Sequence, residues 1–357
     1  MSPDRQPAPH TLPDLAQFDE IIDVRSPAEF AEDHIPGAIN CPVLDNEQRI
    51  EVGTLYKQVS PFEARKVGAA LVSENIARHL RANFLDRPKD WKPLIYCWRG
   101  GNRSGSMTTI FRAIGWKAVQ LDGGYKTWRG HVIAQIEQLP PAFSFRVVCG
   151  ATGSGKTRTL QAIAELGEQV LDLETLASHK GSVLGVLPGQ PQPSQKWFET
   201  LLLQALSAFD VARPVYVEAE SRKIGRLHVP EILLESIRQG ERLDIEASLT
   251  ARVDFLLTDY DYFLQMPDLL LQCLDRLKAM HSHETLARWQ KQVRSAEWSS
   301  LVRELLEQHY DALYRRSQGI HFLGHRHPVT LATDDLSPHG IAELAGRIVH
   351  SRTAQSA

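Results

Sequence analysis

The heptapeptide CWRGGNR, residues 97–103, sets a thiol and two guanidiniums around a pair of glycines. Apolar LIY precedes it and the helical pattern MTTIFRAIG follows shortly after, so the segment reads as strand, glycine loop and helix. A loop in that position presents unpaired backbone N–H groups and the positive end of a helix dipole. Both favour an anion, and a thiolate over a thiol. Gly100, Gly101 and Gly105 let the backbone turn tightly against a ligand. The C-x5-R spacing suits a tetrahedral oxyanion, with Cys97 as nucleophile, Arg103 as the clamp that grips with two N–H groups, and Arg99 as a second cation. The competing reading is a buried strand cysteine before an ordinary turn.

A second constellation is GATGSGKT, residues 150–157, which fits G-x-x-x-x-G-K-[ST] directly after an apolar strand and before a helix. Backbone N–H groups of Gly150, Gly153, Ser154 and Gly155 cradle phosphates, Lys156 reaches their terminal oxygens, and Thr157 can hold Mg²⁺. Such a loop recognises a diphosphate and not a base, so its ligand is open. An acidic partner should end an apolar strand: QVLDLE offers Asp172 and Glu174, and PVYVEAESRKIGR offers Glu218 and Glu220. Neither is a clean apolar run ending in aspartate, so ATP hydrolysis is not assumed.

Three further groups bear on RNA. Arg222, Lys223 and Arg226 form a basic cluster suited to phosphates or to a solvated helix face. HKGS (179–182) and QPSQKWF (192–198) are polar loops. Between Arg276 and His327, nine Lys or Arg stand against five Asp or Glu, with Arg315 and Arg316 adjacent and Trp289, Trp298, Tyr310 and Tyr314 interleaved. That mixture suits RNA, although aromatics at helical spacing also build cores. His321, His325 and His327 lack metal-ligand spacing, so no structural zinc is expected.

The elements that must position these residues follow from pattern and composition. The 357 residues, 43% hydrophobic and 23% charged, suit about two globular domains, and a net charge of -3 excludes a generally basic coat. Cys41, Cys97, Cys149 and Cys273 are scattered without a C-x-x-C pair and are expected as free thiols. No apolar leader or membrane-length stretch is present, which points to the cytoplasm and away from membranes. Strand-like DEIIDVRS, GAINCPV, PLIYCW and KAVQLDGG alternate with helical runs, predicting a parallel-sheet α/β domain over 1–138. The proline pair in IEQLPPAFSFR marks a break. A second α/β domain over 139–357 starts at the phosphate loop, and from about Pro230 the pattern reads as helices. Asp23 and Arg25, ending an early strand, read as support for the cysteine loop or as a structural ion pair.

IIDVRSPAEFAEDHIPGAINCPV (21–43), YCWRGGNRSGS and LDGGYKTW resemble the signature, active-site loop and closing segment of the rhodanese fold. In that family the loop cysteine is catalytic, so the resemblance implies that Cys97 accepts or transfers a chalcogen. The loop has the longer C-x5-R form of rhodanese-like phosphatases, but Tyr96 stands where those have histidine. With GATGSGKT, LDLETLASHKGS, QPSQKWFE, VYVEAESRKIGR and YDALYRRS in order, the whole chain resembles the tRNA 2-selenouridine synthase family, a rhodanese-like domain fused to a P-loop NTPase-like α/β domain with a helical C-terminal part. The resemblance implies a transferase that replaces sulfur by selenium in 2-thiouridine at the tRNA wobble position. Its implied co-substrates are selenophosphate and geranyl diphosphate, the latter for an S-geranyl intermediate; its implied partners are tRNA bearing 2-thiouridine and an enzyme supplying selenophosphate. A persulfide sulfurtransferase, a C-x5-R phosphatase with a nucleotide-binding regulatory domain, and a non-enzymatic RNA-binding module are the alternatives.

Overall fold

A computed structural model describes residues 12–314 and 328–351. The chain divides into two compact units, Met1–Gln135 and Ile136–Ala357.

The first unit is built on strands β1 (Glu20–Asp23), β2 (Ile39–Asn40), β3 (Pro93–Tyr96) and β4 (Val119–Gln120), all parallel in the order β2-β1-β3-β4. Its helices are α1 (Pro27–Glu32), α2 (Asn46–Gln58), α3 (Pro61–His79), α4 (Asn102–Ile114) and α5 (Tyr125–Gln138), the last three residues of which fall past the boundary. Every residue of β3 is buried, as an inner parallel strand requires. Proline at its first position and a Ser26–Glu29 capping box start α1. Phe84, Trp91, Phe111 and Trp116 interlock beside the sheet, with edge-on pairs at 5.0–5.2 Å between ring centroids. That packing fixes α4 against β3 and leaves Cys97 at the carboxyl end of an inner strand, where open α/β sheets bind ligands.

In the second unit β5 (Phe145–Gly150), β6 (Gln169–Leu171), β7 (Val215–Glu218), β10 (Glu241–Glu246) and β11 (Val329–Ala332) form a parallel sheet in the order β11-β10-β5-β7-β6. A small antiparallel hairpin joins β8 (Lys223–Ile224) to β9 (Leu227–His228). Helix α6 (Lys156–Glu165) follows β5, α7 (Leu173–Ala177) follows β6, and α8 (Gln195–Ser207) and α9 (Glu231–Arg238) flank β7 and the hairpin in sequence. Helices α10 (Leu249–Asp259), α11 (Tyr262–Gln265), α12 (Pro267–Asp275), α13 (His283–Arg294) and α14 (Trp298–Leu305) close round their own core of Leu274, Leu277, Trp289, Leu301 and Leu305. The last described helix is α15 (Pro338–His350).

The α/β class, with two parallel-sheet units and a helical C-terminal part, matches the sequence reading. The all-helical expectation after Pro230 does not hold, because β10 and β11 belong to the sheet. In β10 the charges of ERLDIE disguise a strand: Glu241 pairs with Arg146 of β5 at 2.7 Å and Arg242 with Asp244 at 2.7 Å, which neutralises them within the sheet. Among the described residues no helix is long and apolar enough to cross a membrane.

Candidate functional site

Cys97 leaves β3 with 3% of its surface exposed. Helix α4 starts at Asn102, before the helical pattern MTTIFRAIG, with Gly101 as its cap at φ +76°. Its first turn therefore folds back on the thiol: the Ser104 hydroxyl donates to Cys97 Sγ at 3.3 Å. Gln120 of β4 braces this turn, donating from Nε2 to Ser104 Oγ at 3.0 Å and to the Gly101 carbonyl at 2.9 Å. The other side of the loop is closed by Tyr125, whose N–H donates to the Cys97 carbonyl at 2.7 Å. Gly124 lies at φ +60°, and a Cβ there would collide with that same carbonyl.

Asp23 and Arg25 turn out to be both an ion pair and a support. They are 0% and 1% exposed, and the pair is bidentate. Arg25 also donates to the Asp33 carbonyl at 2.6 Å and lies 4.1 Å from the centroid of the Tyr125 ring, whose hydroxyl donates to Asp33 Oδ2 at 2.6 Å. The pair thus holds the tyrosine that holds the loop. Tyr96 is a brace of the same kind, its buried hydroxyl accepting from the Ile35 N–H at 3.1 Å.

Arg103 is engaged elsewhere. Its two terminal nitrogens bond the Glu29 carboxylate at 2.6 and 3.1 Å. Burial opposes ionisation of Glu29, but the Arg103 hydrogen bond and charge and the Ser26 N–H outweigh it and hold its pKa down at about 2. To clamp an anion at Cys97, Arg103 must exchange this partner. Arg99 is exposed beside Trp98, which stacks on Tyr125 with centroids 5.2 Å apart. All four cysteines are free, and burial pushes the thiols of Cys41 and Cys149 up to about 12, so neither competes as a nucleophile.

The glycine loop of the second unit follows β5, a strand buried at every residue. A Cβ on Gly153, at φ +83°, would stand 2.8 Å from a Leu256 methyl and 3.2 Å from the Arg252 carbonyl, so α10 packs directly onto the loop. Arg252 anchors it, donating from Nε to the Thr152 carbonyl at 2.8 Å while pairing with Asp311 at 2.6 Å. A single arginine within a helical pattern offered no sequence signal for this role. Gly155 caps α6 at φ +79°, which leaves Lys156 and Thr157 on the helix's first turn.

Lys156 Nζ stands 3.4 Å from Glu218 Oε1, and Thr157 Oγ1 lies 2.9 Å from Glu218 Oε2 and 3.0 Å from Glu174 Oε2. Carboxylate oxygens of Glu174, Glu218 and Glu220 all lie within 4.8 Å of one another. The sequence offered these acids as separate candidates; the order β7-β6 in the sheet brings them together, since Glu218 ends β7 and Glu174 lies in α7 just after β6. Asp172 is a cap instead, accepting from Thr175 N at 2.8 Å and Thr175 Oγ1 at 2.7 Å.

One threonine hydrogen cannot serve two carboxylates, so the cluster needs a proton of its own. Burial, then the charge of Glu218, raises Glu174 to about 8, and burial with both neighbours raises Glu220 well above the carboxylate range. A divalent cation answers the same need, and Thr157 Oγ1 with these carboxylates is the all-oxygen donor set that Mg²⁺ takes. Beside the loop lies an apolar cavity of about 70 Å³, lined among others by Thr152, Leu256, Phe263, Leu301 and Leu305.

The remaining candidates separate. Arg222, 72% exposed in its side chain, pairs with Glu231 at 2.6 Å, and Lys223 is exposed in β8. Arg226, in the β8–β9 turn, donates to the carbonyls of Gln192 at 2.5 Å and Pro193 at 3.2 Å. Trp289 is fully buried, with Nε1 donating to Glu304 at 3.1 Å, and Trp298 and Tyr310 pack on the same helical core. Trp289 is thus core, and Trp298 and Tyr310 are partly buried against it. Arg315 and Arg316, with His321, His325 and His327, lie outside the described residues.

Comparison with known families matches residues 9–131 to the rhodanese-like domain and residues 143–285 to the tRNA 2-selenouridine synthase AAA domain. The tRNA 2-selenouridine synthase of Nitrosomonas europaea is 37% identical over 244 residues, which cover 67% of this chain and 63% of that protein. The protein of the same name from Alcanivorax borkumensis is 34% identical over 87% of this chain and 94% of its own length. That from Sulfurovum sp. is 30% identical over 94% of this chain and 92% of its own length.

Proposed function

The chain belongs to the tRNA 2-selenouridine synthase family, and from that membership we propose that it is a transferase that exchanges sulfur for selenium in the 2-thiouridine of the tRNA wobble position, in two steps. In the first, the thiocarbonyl sulfur attacks C1 of geranyl diphosphate: an S–C bond forms, the C1–O bond breaks, diphosphate leaves and the N3 proton passes to solvent. In the second, the selenium of selenophosphate attacks C2 of the ring, the C2–S bond breaks and the S-geranyl group departs as a thiol with a proton; water then takes the phosphoryl group, so that the Se–P bond breaks, phosphate leaves and selenium stays on C2. Alkylation is what makes the exchange feasible, because it removes charge from the departing sulfur and leaves C2 more electrophilic.

The observation that carries this reading is the adjacency of a phosphate loop and an apolar cavity, with Thr152 a member of both. A prenyl diphosphate joins an anionic head to a hydrocarbon tail, and each methylene buried there contributes roughly 0.8 kcal/mol. Backbone N–H groups of the loop and Lys156 hold the diphosphate. Thr157 and the three glutamates would hold a magnesium ion, which would supply positive charge toward the departing diphosphate.

In the other unit selenophosphate is taken up at Cys97 Sγ, beside the Ser104 hydroxyl and the start of α4, whose unpaired N–H groups favour an anion. A partner enzyme supplies that co-substrate, and the reaction belongs to the cytoplasm, with tRNA.

The test is mass spectrometry of nucleosides from 2-thiouridine tRNA incubated with the protein, geranyl diphosphate and selenophosphate. S-geranyl and then seleno products are expected; absence of both overturns the function. The assignment of steps to residues fails if folded Lys156→Ala still geranylates or folded Cys97→Ser still selenates.

A further inference from the structure

We propose that a groove in the second unit seats the single-stranded RNA segment that carries the thiolated uridine, with phosphates on Arg226 and Arg276 and the base directed to Ser182. The inference rests on the tRNA reading above and adds where the RNA lies. The groove encloses about 840 Å³ between residues 178–192, the β8–β9 turn and Arg276 at the end of α12. That lies toward the upper end of small-molecule clefts, which run from roughly 300 to 1,000 Å³. It accommodates a nucleotide with its flanking phosphates.

The lining has the three kinds of group that unpaired RNA requires. Arg226 and Arg276 supply positive charge at its rim. Leu187 and Pro191 give flat apolar walls for a base face. His179 and Ser182 supply polar groups for a base edge. His179 is 5% exposed, and its Nδ1 has no hydrogen-bond partner among the described residues. Leaving such an atom unsatisfied costs about 1–3 kcal/mol, which an entering ligand can relieve. Burial, with the charge of Arg276, lowers the His179 pKa, so the ring stays neutral and does not add to the positive charge.

Position favours RNA over another anionic ligand. Ser182 lines both this groove and the apolar cavity beside the phosphate loop. The preceding Gly181 lies so close to the acidic cluster that a Cβ there would stand 2.6 Å from Glu174 Oε1 and 3.0 Å from Glu220 Oε1. Groove, apolar cavity and carboxylates therefore meet at two consecutive residues. A sulfur presented at the Ser182 end of the groove arrives beside the wall that receives the prenyl chain. The polar loops and the basic hairpin singled out in the sequence thereby acquire one purpose, shared by His179, Ser182 and Arg226.

The test measures binding of an anticodon stem-loop RNA containing 2-thiouridine to the full-length protein by fluorescence anisotropy across a salt series. Arg276→Glu should weaken binding by about tenfold and reduce the salt slope by about one, with Arg276→Gln intermediate. Arg347→Glu, an equal charge change on α15 outside the groove, should leave both unchanged. Unaltered affinity and slope in Arg276→Glu overturn the groove assignment, as does an equal loss in Arg347→Glu. If the wild-type protein makes S-geranyl product while Arg276→Glu binds RNA normally, the groove fails and the function stands. If wild type makes no product, the function itself fails.

Discussion

Glu29 and Arg103 form a two-point ion pair, Nη1 to Oε2 at 2.6 Å and Nη2 to Oε1 at 3.1 Å, which ties the first turn of α1 to the first turn of α4. The pair occupies the cation that the C-x5-R spacing offers to an anion. Arg103→Ala should therefore cost about 1–3 kcal/mol of stability and also lower selenation, whereas Glu29→Gln should cost stability but free Arg103 for selenophosphate and preserve selenation. Denaturant unfolding and the yield of selenated nucleoside distinguish the two variants. Equal losses of activity would make Arg103 purely structural.

The same pair sets an acid limit. Glu29 falls from 4.5 to about 2 on folding, so its contribution is complete above pH 4.5 and disappears as pH drops through 2. Glu29→Gln should flatten the acid limb of a stability profile, removing on the order of 2–3 kcal/mol between those pH values.

Glu174 works in the opposite sense. Its pKa rises from 4.5 to about 8 on folding, so without a divalent cation its stabilising contribution is present below pH 4.5 and is lost as pH rises through 8. The melting temperature of cation-free protein should fall from pH 5 to pH 8.5. Magnesium should raise it, and more at pH 8.5 than at pH 6; Glu174→Gln should remove much of the pH trend. An equal magnesium effect at both pH values would count against the carboxylate cluster as its site.

Gly124→Ala should separate the two steps. A Cβ at this left-handed position meets the Cys97 carbonyl, so the loop must shift, at a stability cost of about 2 kcal/mol. Nucleoside mass spectrometry should show S-geranyl product accumulating while selenation falls. Normal selenation would show that the loop tolerates the displacement.

Val302→Trp fills the wall of the apolar cavity, at a cost of about 1–3 kcal/mol. Geranylation should fall while inhibition by inorganic diphosphate persists, since the phosphate loop is untouched. Parallel loss of both would place the prenyl chain elsewhere.

What could be read from the chain was what is local. CWRGGNR and GATGSGKT each carry a strand, a loop and a helix within a few residues, so chemistry and position are written together. The Glu29–Arg103 pair was not legible, because its members stand 74 residues apart and neither belongs to the other's motif. Glu174 and Glu218 were visible as acids but not as neighbours, because the order of strands in a sheet is a long-range choice. Charges hid β10, and Arg252 carried no pattern at all. Trp289 misled in the other direction: its indole anchors the helical core, where interleaved charges suggested a surface.

Gly181 has a consequence beyond geometry. One short piece of backbone leans on Glu174 and Glu220 and continues into the groove wall at Ser182. A ligand on either side that favours one position of that backbone biases the other, and such coupling is reciprocal. By whatever factor magnesium tightens RNA, RNA tightens magnesium. An absent cation would then show itself as poor RNA retention before any chemistry begins, and a bound RNA as a lower magnesium requirement.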